Sequence, residues 1–204
     1  MTHPPSARLQ SYVHGDMDIT TRLLMEAHLA LCPSCSAIVA EFRRTDGRLP
    51  EATLHDELDL PPFERVWTAA RRASLTRVCR CEGSVLHHLL ATLPPPIRWR
   101  WIALWPGRVR VALLTRDADT GSELYLCHLA RGSTFPRHRH QGLEENVVLA
   151  GGYRNGECHA EVGDWVIGAP GTIEMSRAED EECWCLSRIE PPGVRFTGWR
   201  KWMR

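Results

Sequence analysis

Apolar residues recur along this chain with two periods, and the change between them divides it. Leu9, Tyr12 and Val13 mark one face of a short helix over residues 6–15, with Ser6 as its N-cap and Gly15 at its stop. Ile19, Leu23, Ala27 and Leu31 repeat every four residues and predict a second helix from about Asp18 to Leu31. A third follows Pro33, turns Ile38 and Phe42 inward and stops near Arg43, Arg44 and Gly47. Turn formers and the acids Asp56, Glu57 and Asp59 then replace the pattern, so residues 45–61 read as a solvated linker. Pro61 and Pro62 open a further helix, Phe63 to Val78, whose apolar face includes Val66, Trp67 and Ala70 and packs either on the first three helices or on another protein.

Residues 1–82 thus form a small helical domain of about four helices, and residues 83–96, ending in Leu93-Pro-Pro-Pro96, an interdomain linker. From residue 97 to 204 the period is two. Ile97, Trp99, Trp101, Ala103 and Trp105 alternate with Arg98 and Arg100, and short apolar runs recur at Val109–Leu114, Leu124–Leu129, Asn146–Leu149, Asp164–Ile167, Cys183–Leu186 and Arg195–Thr197. Many short strands at near-regular spacing predict an antiparallel jelly roll or barrel, so the fold class is α+β in two domains. Most of the eight tryptophans belong to the core or rim of this second domain.

Charge narrows the partners. Lys plus Arg and Asp plus Glu are 25 each, which gives the chain no overall attraction to nucleic acid or anionic membrane. No apolar run approaches the roughly 20 residues of a membrane span, and the N-terminus lacks a signal-peptide layout, so the expected location is cytoplasmic. There, eight cysteines read as metal ligands or redox thiols before disulfides.

His28-x3-Cys32-x2-Cys35 places three metal-preferring side chains together, since helical positions four apart share a face and Pro33 turns the chain back. Cys35 at a helix start has unpaired N–H groups nearby to favour its thiolate. A structural zinc site takes four ligands, and His3 is the most economical fourth. In the second half, His138 and His140 lie on one side of a strand, and Gly142 turns the chain so that Glu144 can join them. Two imidazoles and a carboxylate suit zinc or another divalent transition metal. His128 and His159 are further donors by residue type, while Cys183-Trp-Cys185 and Cys79-Arg-Cys81 are thiol pairs with either a packing or a redox role.

Gly132, His138, His140, Glu144 and Gly151 match the first cupin motif at every position, and Gly163-Asp164 with Pro170-Gly171 resembles the second. Where that family usually supplies a third histidine, this chain has Glu174, which the resemblance places in the metal site. The whole chain, with His3, His28, Cys32 and Cys35 ahead of the cupin half, resembles the ChrR-type anti-sigma factors. That resemblance implies a cytoplasmic, non-enzymatic regulator whose helices hold an ECF-type sigma factor until singlet oxygen or a related oxidant is sensed through the cupin domain. It also assigns Cys183 and Cys185 a redox role. Two other readings remain open at this point: a metal-dependent, dioxygenase-like cupin enzyme, and a zinc or thiol switch acting through Cys32 and Cys35.

Overall fold

In the computed structural model, which describes residues 1–45, 84–92, 97–103 and 108–197, the N-terminal helices lie against one face of a β-rich domain. The predicted helix Phe63–Val78, the expected linker over 45–61 apart from Thr45, which ends a helix, and the pair Cys79 and Cys81 fall outside the described residues. Helix α1 (Ser6–His14) starts at Ser6 rather than being capped by it; Pro5 precedes the first turn and its carbonyl accepts from Arg8 N–H at 2.8 Å. Gly15 ends α1 with φ 80°, and Asp16 N–H reaches back to the Ser11 carbonyl at 2.9 Å. Helix α2 (Ile19–Leu31) is capped by Asp18, which accepts from Thr21 N–H at 3.0 Å.

Pro33 cannot continue the α2 hydrogen bonds, and α3 (Pro33–Thr45) departs at 115°. Its inward face is Cys35, Val39 and the partly buried Phe42, at helical spacing i, i+4 and i+7; the expected Ile38 is 43 % exposed. The cysteine sets the rotation of this helix. The segment expected to be linker contains α4 (Ser84–Thr92), which buries Leu86 and Leu89. Among the described residues no single helix is long and apolar enough to cross a membrane.

The strands are β1 (Arg100–Ala103), β2 (Val109–Arg116), β3 (Glu123–Leu129), β4 (His138–His140), β5 (Glu144–Ala150), β6 (Gly152–Asn155), β7 (Cys158–Glu161), β8 (Trp165–Gly168), β9 (Ile173–Glu174), β10 (Cys183–Ile189) and β11 (Val194–Phe196). An antiparallel six-stranded sheet runs β1-β2-β3-β10-β5-β8, and a second sheet of three strands runs β11-β4-β9. The β6–β7 hairpin closes over Gly156-Glu157, with Gly156 at φ 60°.

Strand alternation sorts the large sheet into two buried faces. Leu124 and Leu126 of β3, Val147 and Leu149 of β5 and Trp184 and Leu186 of β10 pack with Leu23, Leu24, Met25 and Leu89 of the helices. The intervening Cys127, Val148, Cys183 and Cys185 face the barrel interior. Both faces are covered, so these strands read as continuous apolar runs rather than clean alternation. Trp101 is an exception to the expected core pattern: it is 50 % exposed, while Trp99 stacks on the Arg110 guanidinium at 4.4 Å.

One buried cation ties the layers together. Arg188, 2 % exposed on the helix-facing side of β10, donates to Glu145 at 3.0 Å and Glu190 at 2.9 Å within the sheet. Across the layer it donates to Asp18 at 3.0 Å and Thr20 at 3.2 Å, and Arg8 of α1 reaches Glu145 at 3.1 Å. Removing one partner from such a set strands a buried charge.

Candidate metal centres

The first centre forms where α2 breaks into α3. His28 and Cys32 share the end of α2, Cys35 lies in the first turn of α3, and the extended segment before α1 brings His3 beside them. His3 Nδ1 lies 3.5 Å from Cys32 Sγ and 3.4 Å from Cys35 Sγ. Tetrahedral zinc with bonds of about 2.3 Å to sulfur and 2.0 Å to nitrogen separates such ligand atoms by roughly 3.5 Å. One donor from each of the four residues lies within 4.8 Å of all the others.

The His28 ring shows which of its atoms is free to ligate. Its Nδ1 hydrogen bonds to the Gly163 carbonyl at 2.8 Å, so Nδ1 carries the proton and Nε2 keeps its lone pair. That Nε2 is buried with no hydrogen-bond partner among the described residues. Burial holds the imidazole down to a pKa of about 4, neutral as a metal ligand must be. Burial and the adjacent Cys32 push the Cys35 thiol up to about 11, which outweighs the expected helix-terminus effect. A divalent cation beside the Cys35 sulfur would supply the missing positive charge, so the four residues fit zinc.

This centre rests on the barrel. Thr2 Oγ1 donates to the Trp165 carbonyl at 2.9 Å, Trp165 N–H donates to the Thr2 carbonyl at 3.1 Å, and Thr2 N–H also meets Asp164. The His28 ring stands edge-on to Trp165 at 5.8 Å. At the other end of the same strand, Gly168 packs on His140; a Cβ there would lie 2.5 Å from the ring. Strand β8 therefore touches a ligand residue of each centre, with only Val166 and Ile167 between the contacts at its ends.

The second centre lies inside the barrel. His138 and His140 point inward from β4, Glu144 begins β5, and Glu174 is the register partner of His138 on β9. Gly142 is required by a close approach rather than by a special turn: a Cβ there would lie 2.1 Å from the Glu190 carbonyl oxygen. His138 Nδ1 donates to the Pro136 carbonyl at 2.9 Å. Thr172 Oγ1 donates to the Ala169 carbonyl at 2.6 Å, so at 2.8 Å it accepts from His140 Nδ1. Both rings thus turn bare Nε2 lone pairs toward each other, 3.2 Å apart.

Two facing lone pairs repel unless a proton or cation sits between them. Glu144 Oε2 lies 3.4 Å from His140 Nε2 and 3.9 Å from His138 Nε2, and Glu174 Oε2 lies 3.6 Å from His140 Nε2. The hydrogen bond to Glu144 raises the His140 pKa against its burial, and burial with Glu144 nearby raises that of Glu174. Two imidazoles and two carboxylates so placed fit a divalent transition metal. His138, His140 and Glu144 form the compact group, and Glu174, held by Ser176, closes on His140.

The other named candidates lie elsewhere. His159 is exposed beside Glu161 at 3.4 Å, and His128 stacks on Trp184 at 4.1 Å while its Nε2 meets Glu182 at 2.9 Å. Neither histidine enters either centre. Cys183 and Cys185 both face the interior, but only Cys185 lines the cavity of about 320 Å3 that contains the second centre. That cavity also holds three residues with no functional signal in the sequence. Cys127 lines it from β3, and Tyr153 Oη and Asn146 Oδ1 are buried there without hydrogen-bond partners among the described residues. None has a local signal; only strand pairing brings each to the cavity.

A zinc-type helical unit seated on a β-barrel with a His-His-Glu centre defines a two-domain metal-binding class. Residues 6–36 match a zinc-finger family, and residues 96–191 match the ChrR cupin-like domain. The chain is 28 % identical over 203 residues to the anti-sigma-E factor ChrR of Cereibacter sphaeroides, covering 95 % of this chain and 91 % of that protein. It also resembles the crystal structure of Rhodobacter sphaeroides SigE in complex with the anti-sigma ChrR, at 25 % identity and a TM-score of 0.64, covering 93 % of this chain and 99 % of that one. The chain is thus similar along nearly its whole length to ChrR-type anti-sigma factors, with a zinc-finger match ahead of a ChrR cupin-like match.

Proposed function

We propose that this protein is a cytoplasmic anti-sigma factor that binds and inhibits an ECF-type sigma factor through its N-terminal helices. It releases that factor when an oxidative, singlet-oxygen-like signal is sensed in the cupin domain. The observation that carries the first half is the near full-length match to a ChrR chain that was crystallised in complex with SigE. No direct contact with nucleic acid or membrane is part of this function. In it, His3, His28, Cys32 and Cys35 hold a structural zinc, while His138, His140, Glu144 and Glu174 hold zinc or another divalent metal. Of Cys183 and Cys185, both facing the barrel interior, at least Cys185, which lines the cavity, is an oxidisable thiol.

Strand β8 supports the second half, because a shift of His140 presses on Gly168 and is delivered within one short strand to Trp165 and His28. Rigid paired strands transmit such displacements when the elements at their ends have two arrangements. The division of labour is tested by co-purification of the cognate sigma factor with full-length variants, before and after exposure to singlet oxygen. His140→Ala should capture the sigma factor as the parent does but fail to release it. Loss of capture, or unchanged release, would refute the assignment of sensing to the barrel.

A further inference from the structure

Three interior thiols meet in the barrel, and the fold distinguishes their roles. Cys127 of β3 and Cys185 of β10 are direct register partners in an antiparallel pair. Both turn toward the Ser187 hydroxyl: Cys127 Sγ donates to Ser187 Oγ at 3.3 Å, and Cys185 Sγ lies 3.9 Å from the same oxygen. Cys183 stands two positions back on β10, in an apolar cluster with Leu129, Val148 and Tyr153. Cys127 and Cys185 line the cavity that holds His138, Glu144 and Glu174, and Cys183 does not.

Backbone geometry then selects a pair. Directly opposed residues on antiparallel strands have Cα atoms about 4.5–5.5 Å apart, inside the disulfide range of roughly 4.4–6.8 Å. Two residues on one face of a single strand stand about 6.6 Å apart with parallel Cβ bonds, whereas a disulfide requires Cβ atoms within roughly 4.5 Å. The sulfurs of Cys183 and Cys185 can touch, but bridging them would require the strand to buckle. The pair Cys127 and Cys183 is diagonal, at about 7–8 Å.

We propose that Cys127 and Cys185 form a two-thiol oxidation site for a hydroperoxide in the barrel cavity, with Cys183 outside the reaction. The inference rests on the reading that the barrel receives an oxidative signal. Cys185 sulfur attacks the terminal oxygen of the hydroperoxide, the O–O bond breaks, and the alcohol (water, from hydrogen peroxide) leaves with the thiol proton. Cys127 sulfur then attacks the Cys185 sulfenic acid, an S–S bond forms, and the sulfenic oxygen departs as water with the Cys127 proton. Two electrons pass from the sulfurs to the peroxide. The new bond draws β3 and β10 together beside the metal centre.

The test treats the full-length, metal-loaded protein, in complex with its sigma factor, with hydrogen peroxide or cumene hydroperoxide. It maps thiols by mass spectrometry after non-reducing digestion. The expected product is a peptide linking Cys127 to Cys185, with Cys183 still free to alkylate. Cys183→Ser should form the same link at an unchanged rate, and Cys127→Ser should leave a sulfenic acid at Cys185 that dimedone traps. A Cys183–Cys185 link, or no link with either peroxide, overturns the proposal even if a variant folds poorly, because the parent protein is read directly. Sigma release is scored in parallel. Release without the link leaves oxidant sensing standing and removes this pair, whereas the link without release keeps the pair and removes oxidant sensing.

Discussion

The two candidate centres of this protein share a pair of imidazoles but differ in their other donors, thiols in one and carboxylates in the other, and in what surrounds them. At His3, His28, Cys32 and Cys35, four residues supply four donors, three of the residues are buried, and the remaining ring nitrogen of His28 is fixed by the Gly163 carbonyl. A zinc bound there would have no open position and would serve the fold. At His138, His140, Glu144 and Glu174 the donors border a cavity that also presents two thiols and two polar atoms, Tyr153 Oη and Asn146 Oδ1, without hydrogen-bond partners among the described residues. A metal there can be approached by a small molecule. Two thiolates and a closed ligand set suit a structural role at the first centre, whereas carboxylates beside a cavity leave the second open to a small molecule.

That contrast is most sharply tested by removing a ligand from the closed centre. His28→Ala or Cys35→Ala should lose one equivalent of zinc, unfold the helical unit and abolish sigma capture, because the zinc contributes on the order of several kcal/mol to a small core. Zinc content, helical circular dichroism and co-purification read the result. Retained helix content with zinc lost would mean that packing on the barrel, not the metal, holds the helices. The next effect in size concerns that packing. Arg188→Ala leaves Asp18 and Glu145 facing each other's layer without their shared cation, and a loss of about 3–5 kcal/mol is expected in urea unfolding. Arg188→Met should cost less than Arg188→Ala by refilling the volume, and equal losses would point to charge alone.

Both centres were legible to different degrees in the sequence, for a physical reason. His28, Cys32 and Cys35 are close in the chain, and helical spacing alone places them on one face. His138, His140 and Glu144 are likewise local, and a strand of period two aligns the first pair. Cys127, Tyr153 and Gly168 reach the second centre only through pairing across the sheets, which one sequence does not encode locally. Leu93-Pro-Pro-Pro96 predicts a linker where α4 lies, although Leu86 and Leu89 carry helical spacing. Val39 rather than the expected Ile38 is buried because rotation of α3 is set by Cys35, whose role belongs to the centre rather than to the apolar stripe. The Asn155-Gly156 hairpin carried a recognisable turn signal that was passed over.

A smaller change probes the strand that joins the centres. Gly168→Ala places a Cβ within 2.5 Å of the His140 ring, so the ring or the strand must move, at a cost of about 1–3 kcal/mol. The expected outcome is weaker metal retention by the barrel with zinc in the helical unit unchanged, read by metal analysis after graded chelation. If β8 also carries displacement to His28, the amide of Gly163 or Trp165 should shift in NMR spectra. Shifts confined to residues 166–170 would separate the centres mechanically.

The smallest effect is a pH dependence at the junction of the two layers. Burial pushes the Asp18 carboxyl up, but hydrogen bonds from Thr20 and Thr21 and the Arg188 charge outweigh it and hold the pKa at about 2, against 3.8 for the unperturbed group. A carboxylate with a depressed folded pKa contributes its stabilisation in full above the unfolded value and loses it as pH falls through the folded one. The window is therefore pH 4 down to about 2. Asp164, Asp117 and Glu182 are also lowered and steepen the same decline, while Glu145 and Glu174, raised by burial, act in the opposite sense above it. Asp18→Asn isolates one contribution, since the amide oxygen can still accept from Thr21 N–H while the charge facing Arg188 is gone. Its stability should fall below the parent by about 1–2 kcal/mol at pH 6 and converge with it near pH 2. Parallel curves across that window would show that the cap, rather than the Asp18–Arg188 pair, is what the residue contributes to the seating of the helices on the barrel.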